Sequence, residues 1–262
     1  MQRDKGTLNP LVGKSFRVRS PDLKRKGAKM ILESVVAPYF ETNCWIFAPT
    51  RNSECFIVDP GIANPNLLSS IIDVLRKYNL KPISILVTHG HLDHTFTVLP
   101  LAKEYGIPTY IHSTDRKLLA DPFKALQAGG MSAQIMEQLG VTDFAEPEDV
   151  REVSDSFSFE VAGFDIKVDH APGHTAGSAL FTVNDEYLIS GDVLFAGAIG
   201  RTDMPTGSAS AMRDSLKGKI LPMPNELIVL PGHGPQTTIG RERKVNPYLQ
   251  ADFLSSAPRK GE

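Results

Sequence analysis

The sequence predicts an α/β protein in which two β-sheets face each other and helices cover the outer faces. Three observations lead there. Residues 54–87 read as strand, helix, strand, a unit whose crossover is right-handed. From Phe157 onward the chain turns to short β-branched and aromatic runs broken by Gly, Asn and Asp, as in hairpins. In both halves an apolar run ends in a Gly-bounded turn bearing His or Asp, which implies one site built from both halves.

Taken in order, Ile31 to Val36 and Asn43 to Phe47 alternate or run apolar, as strands do. Glu54 to Gly61 is a third strand ending in a turn. Asn64 and Pro65 open a helix, with Asn as the cap and Pro at the first helical position. Leu67, Leu68, Ile71, Ile72 and Leu75 then recur at helical spacing and give it one apolar face. A strand over 83–87 follows. Val98 to Tyr105 is a short helix, 108–112 a strand, and Ser113 can cap 114–120. Residues 121–140 favour helix but are interrupted by Gly129-Gly130, so they read as a flexible lid or a helical hairpin. Two strand pairs follow, 157–161 with 164–168 and 179–183 with 187–189. Then come a helix over 208–216, a strand over 226–230 and a terminal helix or turn over 241–250, broken by Pro247.

The chain is organised around Ser84-Ile-Leu-Val-Thr-His-Gly-His-Leu-Asp-His94. A buried strand runs into His89, His91, Asp93 and His94, and imidazole with carboxylate is what a divalent cation such as Zn²⁺ binds. In an extended segment His89, His91 and Asp93 point one way and His94 the other, which suits two ions better than one. Gly90 relieves the crowded turn and lets the backbone bend. Downstream, His174 sits in Pro-Gly-His-Thr-Ala-Gly, Asp192 in Ile-Ser-Gly-Asp-Val and His233 in Pro-Gly-His-Gly-Pro. His89, His91 and His174 form one ligand set, and Asp93, His94 and His233 the other. Asp192 has two oxygens and can bridge. Such a site holds two divalent ions, zinc with iron or manganese as alternatives, and a shared hydroxide that serves as nucleophile. Asp93 and Asp192 are accordingly the candidate catalytic carboxylates. A structural zinc site would favour cysteine and close its coordination.

Charge narrows the partners. Residues 1–29 carry nine Lys/Arg against two Asp, so the body is acidic, and nucleic acid is not the expected partner. The basic leader lacks the apolar core of a signal peptide and reads as disordered, with residues 30–262 as a single domain in a cytoplasmic setting. No apolar run approaches the ~18–20 residues needed to span a bilayer. Cys44 and Cys55 lie on two short apolar runs and could be cross-strand neighbours, but two cysteines make no disulfide scaffold and read as buried thiols.

Thr88-His-Gly-His-Leu-Asp-His94, Pro172-Gly-His174, Gly191-Asp192 and Pro231-Gly-His233 resemble the signature motifs of the metallo-β-lactamase superfamily. Val58-Asp59-Pro60-Gly61 resembles its first motif, with Asp59 as a supporting rather than a ligating group. The resemblance spans about residues 31–250 and implies an αβ/βα four-layer sandwich with a binuclear site. Asp192, where many zinc β-lactamases carry Cys or Ser, argues against antibiotic hydrolysis. Gly191-Asp-Val-Leu-Phe195 and Gly200-Arg-Thr-Asp203 look like the glyoxalase II branch, the hydroxyacylglutathione hydrolases. Pro231 to Pro235 and Glu242 to Pro247 are similar to its short bacterial members. The implied reaction is hydrolysis of a 2-hydroxyacyl thioester such as S-lactoylglutathione, or of an analogue on another low-mass thiol. Arg201 matches the basic thiol-binding position, and Arg243 and Lys244 are further candidates for that contact. Two other chemistries on this fold stay open: a mononuclear-iron persulfide dioxygenase, which shares the Gly-Arg-Thr-Asp segment, and a phosphodiesterase or RNA-processing hydrolase.

Overall fold

The computed structural model describes residues 30–63, 66–125 and 144–255. The basic leader, the Asn64-Pro65 helix opening and residues 126–140 of the lid segment lie outside the described residues. One sheet holds β1 (Ile31–Val36), β2 (Asn43–Ala48), β3 (Glu54–Val58), β4 (Lys81–Leu86), β5 (Thr109–His112) and β6 (Val150–Val153), side by side in chain order. The second holds β7 (Ser158–Val161), β8 (Phe164–His170), β9 (Ala179–Val183), β10 (Tyr187–Gly191), β11 (Ile228–Pro231) and β12 (Thr237–Thr238), again in chain order. Both sheets are mixed. β3, β4, β5 and β6 pair in parallel, as do β10 and β11, and the other pairs are antiparallel.

Period-two alternation builds the layers. On β2 and β3, Trp45, Phe47, Phe56 and Val58 point at the second sheet, while Cys44, Ile46, Cys55 and Ile57 point outward. The inward set meets Phe164, Ile166, Phe181, Val183 and Leu230. Phe47 stacks on Phe56 at 4.8 Å between centroids, and Phe164 meets both rings edge-on. Each fully buried side chain of this size contributes about 1.5–3 kcal/mol. The outward set is covered by α1 (Leu68–Tyr78) and α3 (Val98–Tyr105) through Leu67, Ile71, Leu75, Val98 and Leu101. Outside the second sheet, Leu180, Leu188 and Val229 pack on α5 (Ala209–Ser215) and α6 (Ile239–Val245) through Met212 and Ile239. The result is a four-layer αβ/βα sandwich. Three short helices complete it: α2 (Leu92–Thr95), α4 (Lys117–Ala120) and α7 (Ala251–Ser255).

Several local details depart from the sequence reading. Helix α1 starts at Leu68, and its orphan N–H groups find partners through tertiary structure: Leu67 N–H donates to Thr97 Oγ1 and Leu68 N–H to Asn66 Oδ1. Helix α4 starts at Lys117, with no side-chain cap, so Ser113 does not begin it. Strand β6 presents Arg151 and Glu152 to solvent and β12 has two residues, so neither leaves an apolar pattern to read. The cysteines are not neighbours across the β2–β3 pair. The register sets Trp45 against Val58 and Phe47 against Phe56, so Cys44 and Cys55 fall at opposite ends, free and buried. Burial, with the Glu54 carboxylate beside it, pushes the Cys55 thiol up to about 12. No helix among the described residues is long and apolar enough to cross a membrane.

Candidate metal centre

Four connections at one edge of the sandwich supply seven side chains. His89 follows β4, Asp192 follows β10, His233 follows β11, and His174 lies between β8 and β9. The predicted alternation stops at His91. Helix α2 begins at Leu92, so Asp93 and His94 are placed by a helical turn rather than by a strand. The two facings nevertheless arise, because successive helical residues diverge by about 100°. Gly90 is needed for close approach rather than for a bend: a Cβ there would lie 2.6 Å from Leu118 Cβ and Cδ1.

The ligand-type atoms converge in three overlapping groups, each within 4.8 Å: His89, His91 and His174; His89, His94 and Asp192; Asp93, His94 and His233. In the first, His91 Nδ1 lies 2.8 Å from His174 Nε2. In the last, His94 Nε2 lies 3.2 Å from His233 Nε2, and Asp93 Oδ2 is 3.5 Å and 3.2 Å from those two atoms. Asp192 stands between the sets. Its Oδ1 is 3.4 Å from His94 Nε2, and its Oδ2 is 3.4 Å from His174 Nε2 and 3.5 Å from His233 Nε2.

A family model described as the metallo-beta-lactamase superfamily matches residues 37–233. The chain belongs to that superfamily. It is similar to the hydroxyacylglutathione hydrolase GloC of Haemophilus influenzae, 31% identical over 223 residues that cover 85% of this chain and 99% of the relative. Among solved structures it is similar to BLEG-1, described as a B3 metallo-beta-lactamase, with TM-score 0.72 and 34% identity over 84% of this chain and 100% of that one. It is also similar to TTHA1623, solved in a di-iron-bound form, with TM-score 0.67 and 30% identity over 83% of this chain and 100% of that one. The chain is a metallo-hydrolase of this superfamily.

The donors of this superfamily member fit a metal. His89 Nε2 and Asp192 Oδ1 are buried and have no hydrogen-bond partner. Two such orphans in one group of ligand-type atoms would each cost roughly 1–3 kcal/mol unless an ion met them. On His89, His94, His174 and His233 the other ring nitrogen is spoken for, which fixes the tautomer. His174 Nδ1 donates to Arg201 O at 2.7 Å and His233 Nδ1 to Phe40 O at 2.8 Å. Asp59 organises the other two: its Oδ2 lies 3.0 Å from His94 Nδ1 and accepts from Thr88 Oγ1 at 2.6 Å, and that hydroxyl lies 3.1 Å from His89 Nδ1.

Charge divides the sets. Burial and the neighbouring imidazoles push His89 well below its ordinary value and His91 down to about 3, so these rings are neutral donors. Burial also opposes charge on His94 and His233, but Asp192 and Asp93 outweigh it, raising His94 well above its ordinary range and His233 to about 9. The same contacts hold the Asp192 carboxyl well below the usual range against its burial.

The substrate-binding candidates fare differently. Arg201 is exposed and forms a two-point pair with Asp203, at 2.6 and 2.7 Å, while its carbonyl supports His174. Arg243 is turned into the fold, donating to Leu221 O, Met223 O and Asn225 Oδ1. Lys244 is exposed on α6. In the same stretch Glu242 and Asn246 turn inward and brace the 195–198 turn. Glu242 Oε2 accepts from Gly197 N–H at 2.7 Å, and Asn246 Nδ2 donates to Ala198 O at 3.1 Å. Their spacing of four, from α6 to the residue that ends it, was the available signal.

Proposed function

We propose that this metallo-hydrolase cleaves a 2-hydroxyacyl thioester, such as S-lactoylglutathione or an analogue on another low-mass thiol, at a two-ion centre in the cytoplasm. The observation that carries the reading is Asp192, a buried carboxylate that lies within 3.4 Å of His174 in one ligand set and of His94 in the other. His89, His91 and His174 would hold one ion, Asp93, His94 and His233 the other, and Asp192 both. Bound there, two dications supply Lewis acidity and bring the pKa of a water near neutrality, with zinc, iron and manganese all accepted by these donors.

The chain's own groups do the rest. Asp192 is buried and holds position. Asp93 is more open, accepts from Thr42 Oγ1 at 3.4 Å, and is the carboxylate placed to pass a proton to solvent. Arg201 keeps the thiol-binding role in this proposal, exchanging Asp203 for a carboxylate of the carrier. The name of the Haemophilus relative, hydroxyacylglutathione hydrolase, supports the substrate class. The place of His233, beside both Asp93 and His94, favours the hydrolase over a mononuclear dioxygenase.

The test is a substrate panel run beside metal counting on the purified chain. It contains thioesters of glutathione and of other low-mass thiols, a β-lactam, a phosphodiester and a glutathione persulfide. Thioester turnover with two ions per chain is the expected result. One iron per chain with oxygen uptake on the persulfide, or turnover confined to the β-lactam or phosphodiester, contradicts the proposal.

A further inference from the structure

We propose that Asp115 is a positioning residue that ties the His89–His91 turn to the His174 turn, and so sets the spacing of one ligand set and not the other. The inference rests on the metal reading above.

Asp115 lies between β5 and α4 and is 1% exposed. Its Oδ2 accepts two bonds from two distant segments: Gly90 N–H at 2.9 Å and Thr175 Oγ1 at 2.7 Å. Gly90 separates His89 from His91, and Thr175 follows His174. One oxygen therefore spans the two turns whose rings meet at 2.8 Å, His91 Nδ1 and His174 Nε2. The clamp is braced on both sides. Leu118 packs against Gly90 so closely that a Cβ on the glycine would overlap it, and a Cβ on Gly177 would lie 2.5 Å from Asp115 Oδ1. Thr175 is itself fixed, since its hydroxyl lies 2.8 Å from Ser178 Oγ and its N–H donates to the same oxygen.

The other set is held by different groups. His94 leans on Asp59, and His233 on Phe40 O. No hydrogen bond joins Asp115 to Asp93, His94 or His233 among the described residues. Because both accepted bonds fall on a single oxygen, an amide can reproduce them, whereas alanine cannot. Burying a carboxylate that leaves Oδ1 without a partner is costly, so the geometry it enforces must matter elsewhere.

The experiment titrates zinc-loaded, full-length protein with a chromophoric chelator, with circular dichroism to verify folding. Asp115→Ala should weaken one zinc equivalent by about tenfold or more, the scale of losing a group that orients a ligand, and leave the other unchanged. Adding His91→Ala to that variant should cost the second equivalent nothing. Asp115→Asn should bind both equivalents as the wild type does. Thr175→Val should weaken the same equivalent and carries the test if the alanine variant does not fold. The proposal is overturned if Asp115→Ala leaves both equivalents intact, if both weaken together, or if the asparagine variant is as damaged as the alanine one. A wild-type chain that takes up no zinc would instead overturn the metal reading, and this inference with it.

Discussion

Asp59 Oδ2 stands 3.0 Å from His94 Nδ1, and the same carboxylate also receives Thr88 N–H and Oγ1. One buried acid, itself in the left-handed region at φ 47°, therefore orients His94 directly and His89 through the threonine hydroxyl. Asp59→Ala should lower metal affinity about 10–100-fold. It also leaves Thr88 N–H buried without a partner, at a cost of about 1–3 kcal/mol. Chelator competition and urea denaturation measure the two effects separately, and unchanged metal affinity would contradict the orienting role.

Gly232, between Pro231 and His233, touches the centre through its missing side chain. A Cβ there would overlap Asp192 Oδ1 and lie 2.6 Å from His94 Cε1. Gly232→Ala should therefore displace the Asp192 carboxylate and strip metal, while the β10–β11 pairing keeps the fold. Gly218→Ala, which meets nothing within 4 Å, is the control and should bind metal normally. Metal content per chain after dialysis distinguishes them.

Much of this was legible in the sequence, and the reasons are physical. Four candidate ligands, His89, His174, Asp192 and His233, are polar residues in turns that follow apolar runs, a placement that packing cannot explain. The layers were legible because the strand–helix–strand unit of 54–87 and the hairpin texture after Phe157 announce two sheets with helices outside, although β2 and β3 are apolar on both faces. What escaped depends on tertiary contact. Asp115 is one acid in a turn, and nothing local ties it to Gly90, 25 residues away, or to Thr175, 60 residues away. Arg243 read as a candidate thiol contact, yet carbonyls of the 221–223 loop consume it. The start of α1 shifted because Thr97, from another element, satisfies it.

Arg201 is exposed and, among the described residues, paired only with Asp203, so its side chain is available to a substrate at the cost of a weak surface pair. Arg201→Ala should raise KM for a carboxylate-bearing thioester several-fold, on the order of 1 kcal/mol or more of lost binding, with kcat little changed. Its carbonyl support of His174 survives the substitution. Steady-state kinetics on the active thioester decide the matter, and a loss confined to kcat contradicts a binding role.

Glu242 is buried and pins the Gly197 turn. Burial favours its neutral form, but the bonds from Thr237, Gly197, Asn246 and Arg241 outweigh that and hold its carboxyl below the ordinary value. A carboxyl lowered in the folded state stabilises the fold above the unfolded value, about 4.3, and this stabilisation is lost as pH falls through the folded value. Glu242→Gln should thus cost about 1–3 kcal/mol near neutral pH. The gap between variant and wild type should narrow below about pH 4. Urea denaturation across that range measures it, and a gap that does not narrow in acid contradicts the assignment.

The central claim is that two ions flank Asp192. The most direct measurement is anomalous diffraction at the metal edge from crystals of metal-loaded protein. Two peaks are expected, one among His89, His91, His174 and Asp192, the other among Asp93, His94, His233 and Asp192. A single peak in fully loaded crystals, or peaks away from Asp192, would contradict it.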